Sequence, residues 1–146
     1  GDPADSPYLA PTTFFSGGGG LVASTMDYMR FCQMVLNGGE LDGVRILSPL
    51  TIDLMHRNQL PRALGEMSPG TGFGLGFAVV TDPARTLMPA SKGEFYWGGA
   101  YSTAFFVDPV ERITCVFMTQ LYPSTTFPIR RQLKTLIYSA LTHSNA

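Results

Sequence analysis

The sequence predicts an α+β domain: an antiparallel sheet of about three strands, packed by a C-terminal helix and preceded by two N-terminal helices. Helix-start signals introduce two apolar segments before residue 60. Apolar residues after residue 128 recur at helical spacing. The apolar runs between these segments are joined by short Gly-, Pro- and Asp-containing links, which favour an antiparallel meander.

The composition is that of a folded protein with few charges. Hydrophobic residues make up 45% and charged residues 14% of the 146 positions, which argues against disorder and suggests apolar surface meant for a partner. The net charge of −1 does not indicate electrostatic binding to nucleic acid or to an anionic membrane. No apolar run approaches the roughly 20 residues of a membrane span. Cys32 and Cys115 lie in apolar runs, which favours buried free thiols over a disulfide. A cytoplasmic location is favoured over a periplasmic one.

Residues 1–16 are rich in Pro, Ser and Thr and are predicted to be an extended connector, with the domain over 17–146. The glycines at 17–20 permit close packing, and a phosphate loop is disfavoured because no Gly-Lys-Ser/Thr ending follows. Ser24 and Asp27 form a capping-box pattern that begins the first helix, and the glycines at 38–39 end it.

The second helix is predicted to begin at Ser48-Pro49 and to run to about Asn58. His56 lies on it. No second His, Cys or acid stands at metal spacing, so a surface or hydrogen-bonded histidine is favoured over a ligand or a base.

Three stretches are predicted to form the sheet: 72–77, with glycines on one face pressed against a close neighbour, 94–107, interrupted by Gly98-Gly99, and 113–121, buried on both faces. The last helix is predicted to pack its apolar stripe across the sheet. That stripe comprises Ile129, Leu133, Leu136, Ile137, Ala140 and Leu141. The basic side chains of this helix, at 130, 131 and 134, are expected to form a solvated face rather than a membrane-binding surface.

The residues alone show no activated nucleophile. Gly-x-Ser-x-Gly is absent, and no Ser precedes a Lys by three positions. At that spacing, Lys92 is preceded by Pro89 and Lys134 by Arg131.

One segment, Tyr96-Trp97-Gly98-Gly99-Ala100-Tyr101-Ser102-Thr103, has the pattern of a site. Bulky aromatic residues surround two glycines, which let a ligand approach the backbone and leave N–H groups free to bind an oxyanion. A β-bulge lined by core aromatic residues explains the pattern equally well.

Several motifs, in order, resemble class C β-lactamases, penicillin-binding-protein-like hydrolases and related esterases. They are Gly18 to Ser24 followed by Asp27, Arg30 and Phe31, then Leu47-Ser48-Pro49, the segment 72–77, and Val107-Asp108-Pro109. The resemblance covers nearly the whole chain from about residue 17 and implies part of a β-lactamase/transpeptidase-like fold. Where that family has a Lys-Thr-Gly or His-Thr-Gly box, this chain has Trp97-Gly98-Gly99, which resembles the variant of β-lactamase-like carboxylesterases.

The resemblance implies that the backbone N–H of Ala100 is half of an oxyanion hole and that Trp97 lines the acyl pocket. Gly98, Gly99, Tyr101 and Ser102 are the remaining predicted substrate-binding residues. Without the cation and hydroxyl of the box, neutral esters are expected in preference to β-lactams, and no cofactor or metal is expected.

The family's Ser-x-x-Lys and Tyr-x-Asn or Tyr-x-Ser motifs lie upstream of the region that this chain resembles, and Tyr122-Pro123-Ser124 matches the latter only by coincidence. The expected partner is therefore the N-terminal half of the same hydrolase, in cis or as a separate chain, or a second copy of this chain. Without that partner, we expect the chain to expose one edge of its sheet and the part of its apolar core that the partner would cover. The chain alone should be inactive. The alternative is a non-catalytic binding or assembly module on the same scaffold.

Overall fold

A computed structural model, which describes residues 3–6 and 9–146, shows an antiparallel sheet with helices on both faces. The helices are α1 (Thr25–Leu36), α2 (Pro49–Met55), α3 (Pro83–Thr86) and α4 (Ile129–Ser139). The strands are β1 (Glu40–Leu41), β2 (Val44–Arg45), β3 (Thr71–Phe73), β4 (Ala78–Val80), β5 (Phe95–Gly98), β6 (Ala104–Asp108) and β7 (Ile113–Phe117). Short 3₁₀ turns occur at Pro3–Asp5 and Arg62–Leu64.

The main sheet has the order β3-β4-β5-β6-β7 and every neighbouring pair is antiparallel, so the predicted meander is confirmed. The predicted number of strands was wrong: among the described residues, this sheet has five rather than about three. The segment 72–77 is not one strand, because Gly74 N–H donates to the Phe77 carbonyl at 2.7 Å and Gly76 adopts a φ of +98°, which turns the chain back into β4. The predicted close approach of its glycines does occur, since a Cβ at Gly72 would collide with Asn58.

The hydrophobic core lies between one face of the sheet and the helices α1 and α2. Its buried members are Cys32, Met34, Val35, Ile52, Phe77, Val79, Phe95, Phe105 and Val107. The capping box of α1 is confirmed, because Asp27 N–H donates to Ser24 Oγ at 3.1 Å and Ser24 N–H donates to Asp27 Oδ2 at 3.0 Å.

Helix α2 ends at Met55, three residues earlier than expected, and His56 caps it. The imidazole of His56 stacks on Phe95 with ring centroids 5.0 Å apart, and burial lowers its pKa. It packs against an aromatic ring, whereas the sequence favoured a surface or hydrogen-bonded histidine. Both cysteines are free thiols, Cys32 buried and Cys115 half-buried.

The orientation of α4 on the opposite face corrects two expectations. Arg130 and Lys134 face the sheet rather than solvent, because backbone carbonyls and the buried carboxylate of Glu94 accept their hydrogen bonds. Leu136, expected to pack across the sheet, is 68% exposed.

Strand β7 also differs from its prediction, since it ends at Phe117 and all of its residues are half-buried. It is an edge strand, and none of the described residues pairs with its outer edge.

The glycines at 17–20 do not support close packing. They are exposed, and a Cβ at Gly17, Gly19 or Gly20 would meet no heavy atom within 4 Å. Residues 9–16 are exposed, while 1–2 and 7–8 of the predicted connector lie outside the described residues. No helix in the described part of the chain is long and apolar enough to cross a bilayer.

Candidate active site

The segment chosen from the sequence forms the hairpin between β5 and β6. Strand β5 ends at Gly98, and Ser102 N–H donates to the Gly99 carbonyl at 3.2 Å, which closes a four-residue turn over 99–102. Gly99 N–H donates in turn to the Thr103 carbonyl at 3.1 Å, and Ser102 adopts a φ of +65°, a geometry typical of a turn followed by a bulge. The glycine pair therefore marks the end of a strand rather than a defect within one.

The N–H of Ala100 lies in the exposed part of this turn. None of the described residues accepts a hydrogen bond from it. Once the turn is fixed, a backbone N–H loses no further conformational entropy when it binds a ligand. It is therefore suited to bind negative charge that develops on a substrate oxygen.

Aromatic side chains surround the turn and remain accessible. Trp97 is 45% exposed and packs edge-on against Phe73 with ring centroids 5.2 Å apart. Tyr101 is 54% exposed and contacts Tyr122, with ring centroids 5.5 Å apart. Such exposure is not that of core aromatic residues lining a β-bulge.

The edge of β5 is open where Trp97 lies. Strand β4 pairs with β5 only at Phe95 and Tyr96, so the last two residues of β5 have no partner on that side among the described residues. A ligand at this edge would meet the unpaired backbone of residues 97–98 and the indole of Trp97.

On the other side of the hairpin, the two glycines leave space for side chains of this chain. A Cβ at Gly98 would lie 2.7 Å from the guanidinium of Arg130, and a Cβ at Gly99 would lie 2.5 Å from Thr103 Oγ1. These contacts explain why glycine occupies both positions on that face. Binding of substrate by Gly98 and Gly99 at the open edge stays a prediction.

The side chain of Ser102 is turned inward. It is 2% exposed, and its hydroxyl donates to the Leu121 carbonyl at 2.8 Å. Ser102 thus ties the turn to the segment after β7, and its predicted contact with substrate has no support in this geometry.

Sequence reasoning missed Arg130, which it placed on a solvated face. Its Nε donates to the Thr103 carbonyl at 3.1 Å and its Nη2 donates to the Gly99 carbonyl at 2.5 Å. No local pattern pairs a side chain in the first turn of α4 with a hairpin about thirty residues earlier, although the Gly-Gly pair does signal a close neighbour.

A second missed feature is a buried polar network beneath α4. Lys134 Nζ lies 2.5 Å from Glu94 Oε1, and the Tyr138 hydroxyl lies 2.7 Å from Glu94 Oε2 and 2.5 Å from Asp108 Oδ2. Both carboxyl groups are fully buried, and burial raises the pKa of Glu94.

This network borders a cavity of about 380 Å³ between α4, residues 85–88 and the sheet. Apolar side chains, among them Leu87, Met88, Tyr96, Phe106 and Leu133, form much of its wall. Within the described residues, no three His, Cys, Asp or Glu side chains converge as metal ligands would.

Comparisons with known proteins place the chain in a family. The Beta-lactamase family model matches residues 1–139. The chain is 38% identical to Protein Rv1367c of Mycobacterium tuberculosis over 127 residues, covering 80% of this chain and 32% of that protein. It is 30% identical to Esterase EstB of Burkholderia gladioli over 139 residues, covering 93% of this chain and 34% of the esterase.

Solved structures agree with these relatives. The chain aligns with EstCE1, a hydrolase with promiscuous acyltransferase activity, at a TM-score of 0.73 and 29% identity, covering 84% of this chain and 32% of EstCE1. It shares the fold of a penicillin-binding protein homologue from Caulobacter crescentus at a TM-score of 0.59 and 21% identity, covering 76% of this chain and 30% of the homologue.

The chain therefore belongs to the Beta-lactamase family, and its relatives include esterases. It spans about a third of the length of the curated relatives it matches. The β-lactamase/transpeptidase-like fold implied by the motifs is confirmed.

Proposed function

We propose that this chain forms one wall of the active site of a serine hydrolase that cleaves carboxylic esters through an acyl-enzyme. The Ala100 N–H supplies half of the oxyanion hole, and Trp97 and Tyr101 bound the substrate. The unpaired, exposed N–H at the turn after Trp97-Gly98-Gly99 is the observation that carries this proposal.

Esters are favoured over β-lactams because the hairpin offers no free charged group for a substrate carboxylate: the guanidinium of Arg130 is already bound to the Gly99 and Thr103 carbonyls. The box position holds Trp97-Gly98-Gly99, without a cation or a hydroxyl. Lys134 is 14% exposed and is paired with Glu94 on the other side of the sheet. The names of the relatives EstB and EstCE1, an esterase and a hydrolase, agree with this choice.

The nucleophile, its base and the second oxyanion donor are supplied by a segment outside these 146 residues, which contain no Ser-x-x-Lys. That segment is the N-terminal part of the same hydrolase, in cis or as a separate chain. Its docking surface is the open edge of β7 together with the exposed side chain of Leu136 on α4. A second copy of this chain is the competing occupant of that surface.

The test is a chimera in which this chain replaces the matching 139-residue stretch of EstB. The chimera is expected to hydrolyse a chromogenic acetate or butyrate ester much faster than a chromogenic cephalosporin, whereas the 146-residue chain alone should hydrolyse neither. The matched control is the same chimera in which the serine of the family's Ser-x-x-Lys motif, in the part contributed by EstB, is replaced by alanine. Ester turnover by this chain alone, or by the serine-to-alanine chimera, would contradict the proposal.

A further inference from the structure

The peptide group between Gly99 and Ala100 carries both the proposed oxyanion donor and an acceptor bound by an arginine. Its carbonyl, on Gly99, accepts hydrogen bonds from Arg130 Nη2 at 2.5 Å and from Ser102 N–H at 3.2 Å. Its N–H, on Ala100, has no acceptor among the described residues. In a trans peptide, the C=O and N–H point in opposite directions, so fixing one end of the plane fixes the other.

We infer that Arg130 is a positioning residue for the oxyanion hole. Its guanidinium holds the Gly99 carbonyl on the α4 side of the hairpin and thereby aims the Ala100 N–H at the open edge of β5. The catalytic part of this inference rests on the proposed function. The orientation of the peptide can be measured without any substrate.

The geometry of the clamp requires an arginine. Arg130 also donates from Nε to the Thr103 carbonyl at 3.1 Å, so two nitrogens of one rigid plane engage carbonyls on both sides of the turn. A lysine offers a point charge with no fixed fork and cannot reproduce that arrangement. Gly98 completes the fit, because a Cβ there would lie 2.7 Å from the guanidinium carbon.

The charge of Arg130 adds to its steric effect. A hydrogen bond from a cation to a peptide carbonyl polarises the whole group, which strengthens the N–H as a donor. The same positive charge lies one peptide away from the oxygen that becomes negative in the transition state. Both effects act on the transition state more than on the bound ester, so they affect kcat rather than KM.

The neighbouring arginine provides a matched control. Arg131 is exposed, and its Nε contacts the sulfur of Met88 at 3.2 Å rather than the hairpin. Replacing it removes the same charge from the same turn of α4 without touching the Gly99 carbonyl.

The first measurement is the N–H residual dipolar coupling of Ala100 in the EstB chimera labelled with 15N-alanine, which reports the direction of that bond in the absence of substrate. Arg130→Ala should change this coupling, while Arg131→Ala should leave it as in the wild type. If Arg130→Ala does not fold, Arg130→Lys is measured instead and should give a smaller change in the same direction. A folded Arg130 variant with an unchanged Ala100 coupling would overturn the inference.

The second measurement uses the EstB chimera. Arg130→Ala should lower kcat for the ester by about tenfold or more with KM within about twofold, because removal of a whole oxyanion donor costs 10²–10³ in kcat. Arg130→Lys should recover part of the loss, and Arg131→Ala should match the unmodified chimera. An equal loss in both arginine variants, or a loss confined to KM, would overturn the positioning role. A changed coupling together with a chimera that hydrolyses no ester would uphold the orientation by Arg130 and refute only the proposed function.

Discussion

Ala100 offers a single-residue test of the oxyanion hole. It occupies the second position of the turn over 99–102, where proline is well tolerated in the common turn types. Ala100→Pro therefore removes the N–H while keeping the turn. In the EstB chimera, we expect kcat for the ester to fall by about 10²–10³-fold, the usual cost of losing one such donor.

The matched control for that substitution is Ala100→Gly, which also changes the backbone at this position but retains the N–H. Its kcat should stay within about threefold of the unmodified chimera, because the donor is still present. Circular dichroism of both variants checks that the sheet is intact. Equal activity in the proline and glycine variants would show that Ala100 donates nothing to the transition state.

Glu94 carries a prediction about pH. The Tyr138 hydroxyl lies within hydrogen-bond distance of two carboxyl groups but has one proton, so one carboxyl must be protonated for both contacts to be hydrogen bonds. Burial raises the pKa of Glu94, although Lys134 and the Tyr138 hydroxyl act in the opposite direction, so we assign proton uptake by this network as the pH falls to Glu94.

Because its pKa is raised in the folded state, protonated Glu94 stabilises the fold most fully below its unfolded value, which is about 4.5. This contribution is lost as the pH rises through the folded pKa. The free energy of unfolding of the wild type should therefore decline relative to Glu94→Gln as the pH is raised from about 4.5, measured by urea denaturation at several pH values. Glu40→Gln removes a negative charge from an exposed pair with Arg45 and serves as the control. A constant difference between wild type and Glu94→Gln would contradict the assignment.

At this scale, the sequence predicted a candidate site but not the arginine that contacts it. The pattern of Trp97, Gly98 and Gly99 is local, so it was visible without a structure. The contact between Arg130 and Gly99 spans 31 positions and depends on the angle at which α4 crosses the sheet. No periodicity within α4 could reveal that angle.

At the scale of elements, α4 is attached to the sheet by polar contacts at helical spacing. Arg130, Lys134 and Tyr138 recur every four residues and all face the sheet, and α4 has no fully buried residue. Four-residue spacing keeps side chains on one face of a helix, so these three form a polar seam. The amphipathic pattern of α4 was correctly taken as helical, but the buried carboxyl groups of Glu94 and Asp108 decide which face turns inward.

The seam predicts how the stability depends on Tyr138. Tyr138→Phe leaves the two buried carboxyl groups without their shared hydroxyl, so it should lower the free energy of unfolding by about 1–3 kcal/mol. Leu136→Ala, on the exposed face of the same helix, should change it by less than about 0.5 kcal/mol. Urea denaturation of both variants tests the comparison, and a larger loss in Leu136→Ala would mean that α4 packs by its apolar stripe after all.

The strands show the limit of local reasoning at the same scale. Alternating Gly and apolar residues over 72–77 satisfied the two-residue period of a strand, yet a turn divides the segment. A two-residue period of apolar residues cannot distinguish a strand from a tight hairpin when every second residue of the segment is glycine. The antiparallel order of the sheet was nevertheless largely predictable, because every link except the one between β4 and β5 is too short for a crossover.

At the scale of the whole molecule, the uncovered surface lies where the proposed partner would dock. The outer edge of β7 has no partner among the described strands, and apolar side chains at the ends of β7 and α4 are exposed, including Met118 at 42% and Leu136 at 68%. Unpaired strand edges and contiguous apolar surface promote association. The composition, with 14% charged residues, anticipated such a surface without locating it.

The 146-residue chain alone should therefore bind a hydrophobic dye and show a concentration-dependent mass by light scattering. Leu136→Glu places a charge on the exposed face of α4, so it should reduce both signals while the free energy of unfolding changes by less than about 0.5 kcal/mol. The same substitution should lower the yield of active EstB chimera, because the charge would be buried where the remaining two thirds of the hydrolase docks. Thr135→Glu, which adds an equal charge at the neighbouring exposed position, controls for charge alone. If the wild-type chain stays monomeric at all concentrations and binds no dye, the non-catalytic binding module is favoured over part of a hydrolase active site. Such a module does not need an uncovered apolar surface for a missing part of the protein.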